Sequence, residues 1–358
     1  MDERPDLAEC TPEELEAALA DTGAPRFHGR QVYRWIHRRG VDRFEDMTDL
    51  PRDLRAMLAA EFRIGTPAIV ADALSSDGTR KLALALADGR QIEAVFIPDT
   101  PSMTFCISTQ VGCAMACDFC LTGKMGLVRN LTAGEIVGQV RVLAKATGLL
   151  GHPFNIVLMG MGEPLHNYEP TMRAIRMLHE ADGMALSPKR ITLSTVGIVP
   201  ALERLAAEPL MPNLAISLHA TTEEMRTRLV PPNKRYSLRA ILDVCRRFPV
   251  RHRGRITFEY VLLDGVNDTP EDAKRLVKLL EGIRAKVNLI PLNAAPGIDY
   301  ARPPDDRVDR FAGILADRGV TVMVRKSRGR DIRAACGQLI VEGGTRKTAA
   351  QVMAKLMP

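Results

Sequence analysis

The chain has 358 residues, with 26% charged and 46% hydrophobic residues, a formal net charge of +6 and a sequence pI near 9.0. These values are typical of a folded protein with one large and one small domain, exclude a predominantly disordered chain, and permit a nucleic-acid partner without requiring one. The sequence contains no apolar run long enough to span a membrane, no signal peptide and seven cysteines, an odd number, so we expect a cytoplasmic protein and not a secreted disulfide framework.

Residues 1–65 predict a small helical domain. Thr11 is placed as the N-cap of a helix, Pro12 as its first residue, and glutamates follow in the first turn. A second helix is expected further on, in which Val32, Trp35 and Ile36 can face a hydrophobic core.

The second helix also carries arginines at every fourth position, which puts them on one face. These residues are Arg26, Arg30, Arg34 and Arg38. Such a stripe has two interpretations. The pattern alone slightly favours an ordinary solvated surface. The alternative is a surface that follows the phosphates of a nucleic acid, because the guanidinium fork binds phosphate oxygens in pairs.

Residues 66–100 have the composition of short strands, with turn signals at residues 76–78 and 88–89, and predict a short β linker region. Its last strand, residues 91–97, contains one charged side chain, Glu93, between apolar neighbours. Glu93 is either exposed at a sheet edge, which is the more frequent case, or a buried acid. Burial would raise the pKa of such an acid toward the range of a proton acceptor.

From residue 101 to residue 345, predicted strands and helices alternate, which indicates a parallel sheet with helical crossovers. The capping pair Thr132 and Glu135 opens one of these helices. The strands are expected to begin near Met103, Asn155, Arg190, Asn213, Arg255, Lys286 and Val320. Six or seven units are too few to close an eight-stranded barrel, so we expect an open α/β sheet. Residues 346–358 predict a C-terminal helical tail.

A concentration of thiols marks the start of this region, with Cys113, Cys117 and Cys120 in one short loop. Thiolates are ligands of zinc, copper(I) and iron–sulfur clusters, and a cubane cluster is ordinarily held by four of them. Three cysteines from one loop would leave one iron open, as in a catalytic metal site, whereas a structural zinc would need a distant fourth ligand. The spacing alone leaves both possibilities open.

The residues around the loop are more specific. Gly112 precedes it and a glycine-containing run, residues 121–126, follows it, so backbone amides can approach a cluster closely. The loop resembles that of radical S-adenosylmethionine (SAM) enzymes, and residues 110–140 are similar to one branch of them, the RlmN/Cfr family of RNA adenine methyltransferases. The resemblance is looser before residue 90. It implies a partial (βα)6 radical-SAM barrel with a small N-terminal helical accessory domain that binds RNA.

The resemblance also implies two cofactors. One is a 4Fe-4S cluster bound by Cys113, Cys117 and Cys120, and the other is SAM, of which two molecules are used per turnover. Polar residues stand at successive predicted strand ends, where each alone would be an ordinary cap but together they favour a cofactor cleft. The positions that match SAM contacts in the family are Gly162, Glu163, Ser194, Ser217, Leu218, His219 and Asn293.

Two further cysteines, Cys106 and Cys336, match positions with catalytic roles in the family. Strand alternation puts Cys106 on the polar side of its strand, and Cys336 lies in an Ala-Cys-Gly-Gln run. Either alone would be an ordinary buried thiol. The resemblance implies that Cys336 takes a methyl group from one SAM and that a radical from a second SAM activates this methyl for addition to adenine. Glu93 would then take a ring proton, and Cys106 would release the product by forming a disulfide with Cys336.

The activity implied is methylation of carbon 2 of adenosine in 23S rRNA and in tRNA, by a monomer that receives electrons from a flavodoxin-type reductant. Three alternatives remain: a Cfr-type resistance enzyme that methylates carbon 8 of the same base, a non-catalytic RNA- or zinc-binding protein on the same fold, and a methylthiotransferase. The last would ordinarily need a second cluster, for which the other cysteines, Cys10 and Cys245, offer no triad. Basic clusters at residues 234–235, 251–255 and 325–333 are either surface charges or an RNA-binding ring.

Overall fold

The computed structural model of the protein describes residues 2–98, 102–252 and 254–340. Within these residues, a group of N-terminal helices packs against a large sheet with crossover helices. The helical tail predicted at residues 346–358 lies outside the described residues. Across the same three ranges, no helix is both long enough and apolar enough to cross a membrane.

The N-terminal part contains three α-helices and a π-helical turn that continues the second: α1 (Pro12–Asp21), α2 (Phe27–Tyr33), the turn Arg34–Arg38, and α3 (Arg52–Glu61). The predicted start of α1 is confirmed, since Thr11 and Glu14 exchange side-chain and backbone hydrogen bonds in a capping box. The predicted apolar face is also confirmed, because Val32, Trp35 and Ile36 are buried in a core that these helices share. The helices therefore close a small core of their own.

The arginine stripe is only partly available to a nucleic acid. Arg30 and Arg34 both form ion pairs with Asp182 of the barrel, with an Nη1–Oδ2 distance of 2.9 Å and an Nε–Oδ1 distance of 2.7 Å. Two of the four guanidinium groups thus dock the N-terminal helices onto the barrel, and the interpretation of the four arginines as a phosphate-binding stripe stays a prediction. The π-helical turn also has wider hydrogen-bonded rings, so a spacing of four residues no longer keeps Arg38 in line with the others.

The described strands, in chain order, are β1 (Ala68–Leu74), β2 (Arg80–Ala85), β3 (Gln91–Ile97), β4 (Thr104–Cys106), β5 (Gln110–Gly112), β6 (Leu127–Asn130), β7 (Asn155–Leu158), β8 (Ile191–Thr195), β9 (Asn213–Ser217), β10 (Ile256–Leu262), β11 (Ala285–Pro291) and β12 (Thr321–Val324). The α-helices after α3 are α4 (Leu121–Met125), α5 (Ala133–Ala146), α6 (Tyr168–His179), α7 (Val199–Ala206), α8 (Glu223–Leu229), α9 (Leu238–Arg247), α10 (Pro270–Leu279) and α11 (Asp305–Ala316).

Ten of the strands form one sheet, in the order β1-β2-β3-β4-β7-β8-β9-β10-β11-β12, and β5 and β6 form a separate hairpin. From β4 to β12, every neighbouring pair in this sheet is parallel. β1 and β12 stand at opposite ends and do not pair with each other in the described part of the chain, so the sheet stays open. The predicted open α/β fold is confirmed, and the strands expected at Asn155 and Asn213 begin at those residues.

The segment predicted as a β linker supplies β1, β2 and β3, which are antiparallel to one another. β3 also pairs with β4, with Val95 opposite Cys106. These strands therefore extend the barrel sheet instead of joining two separate bodies, and they put Glu93 on the strand next to Cys106. The domain boundaries at residues 65, 100 and 345 stay predictions.

The largest hydrophobic core joins the sheet to its crossover helices. α5 begins with the predicted capping box between Thr132 and Glu135, and it buries Ile136, Val140 and Leu143 in that core. Parallel strands end at one edge of a sheet, so the residues that follow β4, β7, β8, β9 and β11 gather around one opening. The polar strand ends predicted from the sequence lie there.

Candidate active site

A cavity of about 910 Å³, its open mouth included, lies at the carboxyl ends of the parallel strands. The predicted site residues that line it are Cys113, Cys117, Cys120, Gly162, Glu163, Ser194, Ser217, His219, Asn293 and Cys336. Leu218, Cys106 and Glu93 are not among the described lining residues. The fold thus brings together the cysteine loop, most of the predicted SAM contacts and one of the two predicted catalytic cysteines.

The cysteine loop follows β5 and returns through α4 and β6. Gly112 at the end of β5 has a φ of +77°, and a Cβ there would lie 1.9 Å from the carbonyl oxygen of Gly126, so only glycine fits. The N–H of Cys113 donates to the Gly126 oxygen over 3.0 Å, and the N–H of Asp118 donates to the Leu229 oxygen over 3.1 Å. These contacts fix the path of the loop that carries the three thiols.

The arrangement of the thiols suits a cluster. The side chains of Cys113, Cys117 and Cys120 line one shared cavity, where each could bind a separate iron of a polynuclear cluster. Burial raises the pKa of all three thiols. A bound metal would offset this effect, because thiolates are its ligands.

Glu163 follows β7 and is the acid of the predicted SAM site. Its carboxylate accepts hydrogen bonds from the N–H groups of Leu165 over 3.1 Å and Val196 over 2.9 Å. Burial raises the pKa of Glu163 to about 7, although hydrogen bonds to the carboxylate oppose the shift. The preceding Gly162 has a φ of +106°, and a Cβ there would lie 2.6 Å from the Cβ of Gln110. A carboxylate held in this way can receive an ammonium group.

His219 and Asn293 offer the cavity one donor and one acceptor. The N–H of Val261 donates to Nδ1 of His219 over 3.1 Å, so the proton of the neutral ring lies on Nε2. Burial, with a smaller contribution from Arg226, lowers the pKa of His219 to about 3, which keeps the ring neutral. Oδ1 of Asn293 is buried and finds no hydrogen-bond partner among the described residues. Such a pair suits the hydroxyl and ring-nitrogen groups of a nucleoside.

The remaining predicted SAM contacts lie on β8 and β9. The hydroxyl oxygens of Ser194 and Ser217 are 3.3 Å apart, and both residues line the cavity. Leu218 differs, because its side chain is fully buried in the main hydrophobic core and its N–H donates to the carbonyl oxygen of Glu259. Successive side chains of a strand point to opposite faces, so Leu218 does not share the cavity with Ser217.

Cys336 and Cys106 lie close enough to interact electrostatically. Cys336 lines the cavity, and Nη1 of Arg325 donates to its Sγ over 3.1 Å. Cys106 at the end of β4 is only 6% exposed. Burial raises the pKa of Cys106 to about 12, and the nearby Cys336 sulfur adds to the shift. The two thiols are both free, and they lie close enough to influence each other electrostatically.

The sequence left open whether Glu93 is exposed at a sheet edge or buried. It is buried, with 5% of its surface exposed. It is not unpaired, because its Oε1 lies 2.8 Å from Nζ of Lys81 and its Oε2 accepts a hydrogen bond from the N–H of Ile340 over 2.9 Å. Val95 is opposite Cys106 in the sheet, and alternation puts Glu93 on the same face as Val95. The carboxylate therefore lies on the face of Cys106 and contacts the segment that follows Cys336.

Comparisons with known proteins identify the family. Residues 107–280 match the Radical SAM superfamily, and residues 5–64 match the ribosomal RNA large subunit methyltransferase N-terminal domain. The chain is 49% identical over 349 residues to the dual-specificity RNA methyltransferase RlmN of Anaeromyxobacter dehalogenans, a match that covers 96% of this chain and 94% of that protein. The chain belongs to the RlmN family.

Two further matches agree with this assignment. The dual-specificity RNA methyltransferase RlmN of Geobacter sulfurreducens is 49% identical over 339 residues, which cover 95% of this chain and 93% of that protein. The crystal structure of a radical SAM methyltransferase from Sphaerobacter thermophilus superposes with a TM-score of 0.90 at 47% identity, covering 94% and 99% of the two chains. The predicted family and the radical SAM methyltransferase class are confirmed. Membership of the superfamily implies a 4Fe-4S cluster and SAM, and the relatives support the RlmN branch over the Cfr-type alternative.

Two charged residues of this RlmN-family cavity, Glu259 and Arg325, are missing from the sequence prediction. Glu259 of β10 is 5% exposed, and its carboxylate accepts a hydrogen bond from Nδ2 of Asn288 over 2.7 Å. One signal could have found it, since Glu259 is the single charged residue of an otherwise uncharged strand. Arg325 belongs to the basic cluster at residues 325–333, which the sequence could assign either to surface charge or to an RNA-binding ring. Its side chain instead points into the cavity and contacts Cys336.

The raised pKa of Glu163 predicts a pH-dependent affinity for SAM. If Glu163 holds the ammonium group of SAM, as the sequence predicts, the pairing needs the ionised carboxylate, and this form is lost as the pH falls through the pKa of about 7. Affinity should therefore fall by up to about tenfold per pH unit below neutrality. His219 has a pKa of about 3 and stays neutral throughout this range. Equilibrium dialysis of labelled SAM against cluster-loaded protein would measure the dissociation constant at each pH.

Glu163→Gln is the matched control for this experiment. It keeps the size of the side chain but cannot ionise, so the variant should bind SAM more weakly and with little dependence on pH in the same range. An equally steep pH dependence in the variant would show that another group is responsible.

Proposed function

We propose that this RlmN-family protein transfers a methyl group to carbon 2 of adenosine in 23S rRNA and in tRNA. The observation that carries the proposal is the position of Cys336, whose thiol shares one cavity with the three cysteines of the cluster loop and has Cys106 as a neighbour. The high identity to relatives named dual-specificity RNA methyltransferases supports two kinds of RNA substrate.

The chemistry explains why a cysteine is needed as a methyl carrier. Carbon 2 of adenine has no lone pair with which to attack the methyl group of SAM, so direct transfer fails. When bound, the cluster and SAM supply a single electron and a radical that can remove a hydrogen atom. The chain supplies Cys336, whose sulfur receives the methyl group and presents it to the base. One SAM gives the methyl group and another gives the radical, so we propose that two are used per turnover.

Two other residues complete the proposed cycle. Cys106 releases the product by forming a disulfide with Cys336, a role supported by its position next to that sulfur. Glu93 accepts the proton that leaves the ring, a role supported by its place on the same sheet face as Cys106. In the described structure this carboxylate accepts a hydrogen bond from the N–H of Ile340 and pairs with Lys81. A carboxylate has about four acceptor sites, so these two contacts leave room for a proton.

The proposed setting is a cytoplasmic monomer that works with a flavodoxin-type reductant. All seven cysteines are free, which fits a reducing compartment. The disulfide must be reduced after each turnover and the cluster needs single electrons, which is why a reductant is required. A monomer keeps the mouth of the cavity open to a large RNA.

Nucleoside mass spectrometry tests the proposal. Cluster-loaded protein is incubated anaerobically with SAM, a reductant and protein-free 23S rRNA or tRNA, and the digest is compared with authentic 2-methyladenosine and 8-methyladenosine. We expect 2-methyladenosine from both RNAs, and none when the reductant is left out. A peak of 8-methyladenosine would assign the protein to the Cfr-type activity. Protein that still cleaves SAM but leaves both RNAs unmethylated would overturn the proposed substrate.

A further inference from the structure

Arg325 makes a direct contact with the sulfur of Cys336. The residue follows β12, and its backbone N–H donates to the carbonyl oxygen of Leu289 over 2.8 Å, which fixes it against β11. From there its side chain reaches into the cavity and Nη1 donates to Sγ of Cys336 over 3.1 Å. A guanidinium group next to a thiol favours the thiolate, which is the nucleophilic form of cysteine.

Arg325 is the cation that hydrogen-bonds this sulfur among the described contacts. A second cation, Arg328, lines a small cavity together with Arg325 and Cys336. The thiols of Cys106 on β4 and Cys120 in the cluster loop interact with the sulfur electrostatically. Glu259 on β10 lies near Arg325 and is itself bound by Asn288. The pKa of Arg325 is raised, chiefly by the Cys336 sulfur and further by Glu259 and Cys106, in spite of its burial.

The two catalytic thiols differ in this respect. Cys336 receives a hydrogen bond from the guanidinium group, whereas Cys106 lies buried with a pKa of about 12 and would stay a thiol. Of the two sulfurs, the one of Cys336 therefore has a cationic hydrogen-bond donor in the cavity. This difference accounts for the order in which the proposed reaction uses the two cysteines.

We infer that Arg325 is a positioning residue that orients the Cys336 sulfur in the cavity through the Nη1–Sγ hydrogen bond and stabilises the negative charge of this sulfur when it reacts with the methyl group. This use of the contact rests on the proposed function. In the transfer, the thiolate electron pair forms the new sulfur–carbon bond while the sulfonium–methyl bond breaks, and S-adenosylhomocysteine leaves with that pair. Any proton on the Cys336 sulfur leaves to solvent before this step, and no proton moves within it. The product is a neutral thioether that still faces the Arg325 guanidinium group, with the Glu259 side chain nearby.

Alkylation of Cys336 by iodoacetamide tests the contact without any methyl transfer. Cluster-loaded protein is treated anaerobically near neutral pH, and the rate at Cys336 is read from its peptide by mass spectrometry. Arg325→Met should slow alkylation at least about tenfold, because the thiolate loses its cationic partner. Lys326→Met is the matched control, since it removes the same charge from the exposed neighbouring residue and should react like the wild type. Equal rates in Arg325→Met and the wild type would overturn the inference.

A second pair of variants tests the inference in case Arg325→Met folds poorly. Arg325→Lys keeps the positive charge and Arg325→Gln keeps only a neutral donor, so the lysine variant should react faster. A glutamine variant that is as fast as the lysine variant would also overturn the inference. Cluster absorbance and the thermal unfolding midpoint identify the variants that are folded.

The mass of the intact protein separates this inference from the proposed function. Wild-type protein incubated with SAM and reductant, but without RNA, should gain one methyl group on Cys336, and Arg325→Met should gain it more slowly. If the wild type gains no methyl group while alkylation still depends on Arg325, the contact is real and the proposed function has failed. If methylation occurs at the same rate in both, the proposed function stands and the role of Arg325 is refuted.

Discussion

Cys106→Ala should leave the protein covalently attached to its RNA. In the proposed cycle the methylated base is bound through Cys336 until a second thiol displaces it, and Cys106 is the thiol beside that sulfur. Without it the adduct has no route to release, so turnover should fall on the order of a thousandfold or more. The adduct would be seen as a protein band of raised mass on a denaturing gel, and nuclease digestion should reduce it to one nucleotide on the Cys336 peptide.

Cys336→Ala, unlike Cys106→Ala, should form no covalent adduct with RNA. It should also give no methylation, because the sulfur that carries the methyl group is absent. Cys245→Ala is the matched control, since Cys245 is a buried cysteine of α9 in the hydrophobic core and not among the cavity-lining residues. It should methylate RNA normally. If Cys106→Ala and Cys336→Ala both turn over like this control, the two-cysteine mechanism is wrong and the two thiols are structural.

Local sequence patterns predicted the fold well. Alternating strands and helices place Asn155 and Asn213 at the starts of β7 and β9, and the capping boxes at Thr11 and Thr132 mark the starts of α1 and α5. These signals depend on residues within one or two turns of each other, and that is the range over which a single sequence can be interpreted directly. Parallel topology then gathers the strand ends, so the cavity follows from the fold.

Pairings between distant parts of the chain were not predictable in the same way. Arg30 has a surface pattern, yet it pairs with Asp182, which lies 152 residues further along the chain. Glu93 could be recognised as an unusual acid, but its partners Lys81 and Ile340 could not. The neighbourhood of Cys106 and Cys336 is likewise tertiary. The sequence suggested it only through resemblance to a family, because a lone cysteine carries no signal of its own.

Arg226 shows what such missed pairings contribute to the site. It is fully buried in α8, where Nε donates to the carbonyl oxygen of Leu218 over 3.1 Å and Nη1 donates to Oδ1 of Asn233 over 2.9 Å. Nη2 donates to the carbonyl oxygens of Val196 over 2.6 Å and Ser217 over 3.1 Å. One side chain therefore ties together the ends of β8 and β9, where four of the cavity-lining residues lie: Ser194, Val196, Ser217 and His219.

Arg226→Met should lower the free energy of unfolding by about 3 kcal/mol, because it leaves three buried acceptors and one partly buried acceptor without their donor, although it also removes a buried charge. The midpoint of urea unfolding would measure the loss, and SAM binding should weaken with it. Arg228→Met, two residues along the same helix and exposed, should stay within about 0.5 kcal/mol of the wild type. If both variants unfold at the same urea concentration, the four hydrogen bonds add nothing net to stability. The strand ends must then be held in place by apolar packing alone.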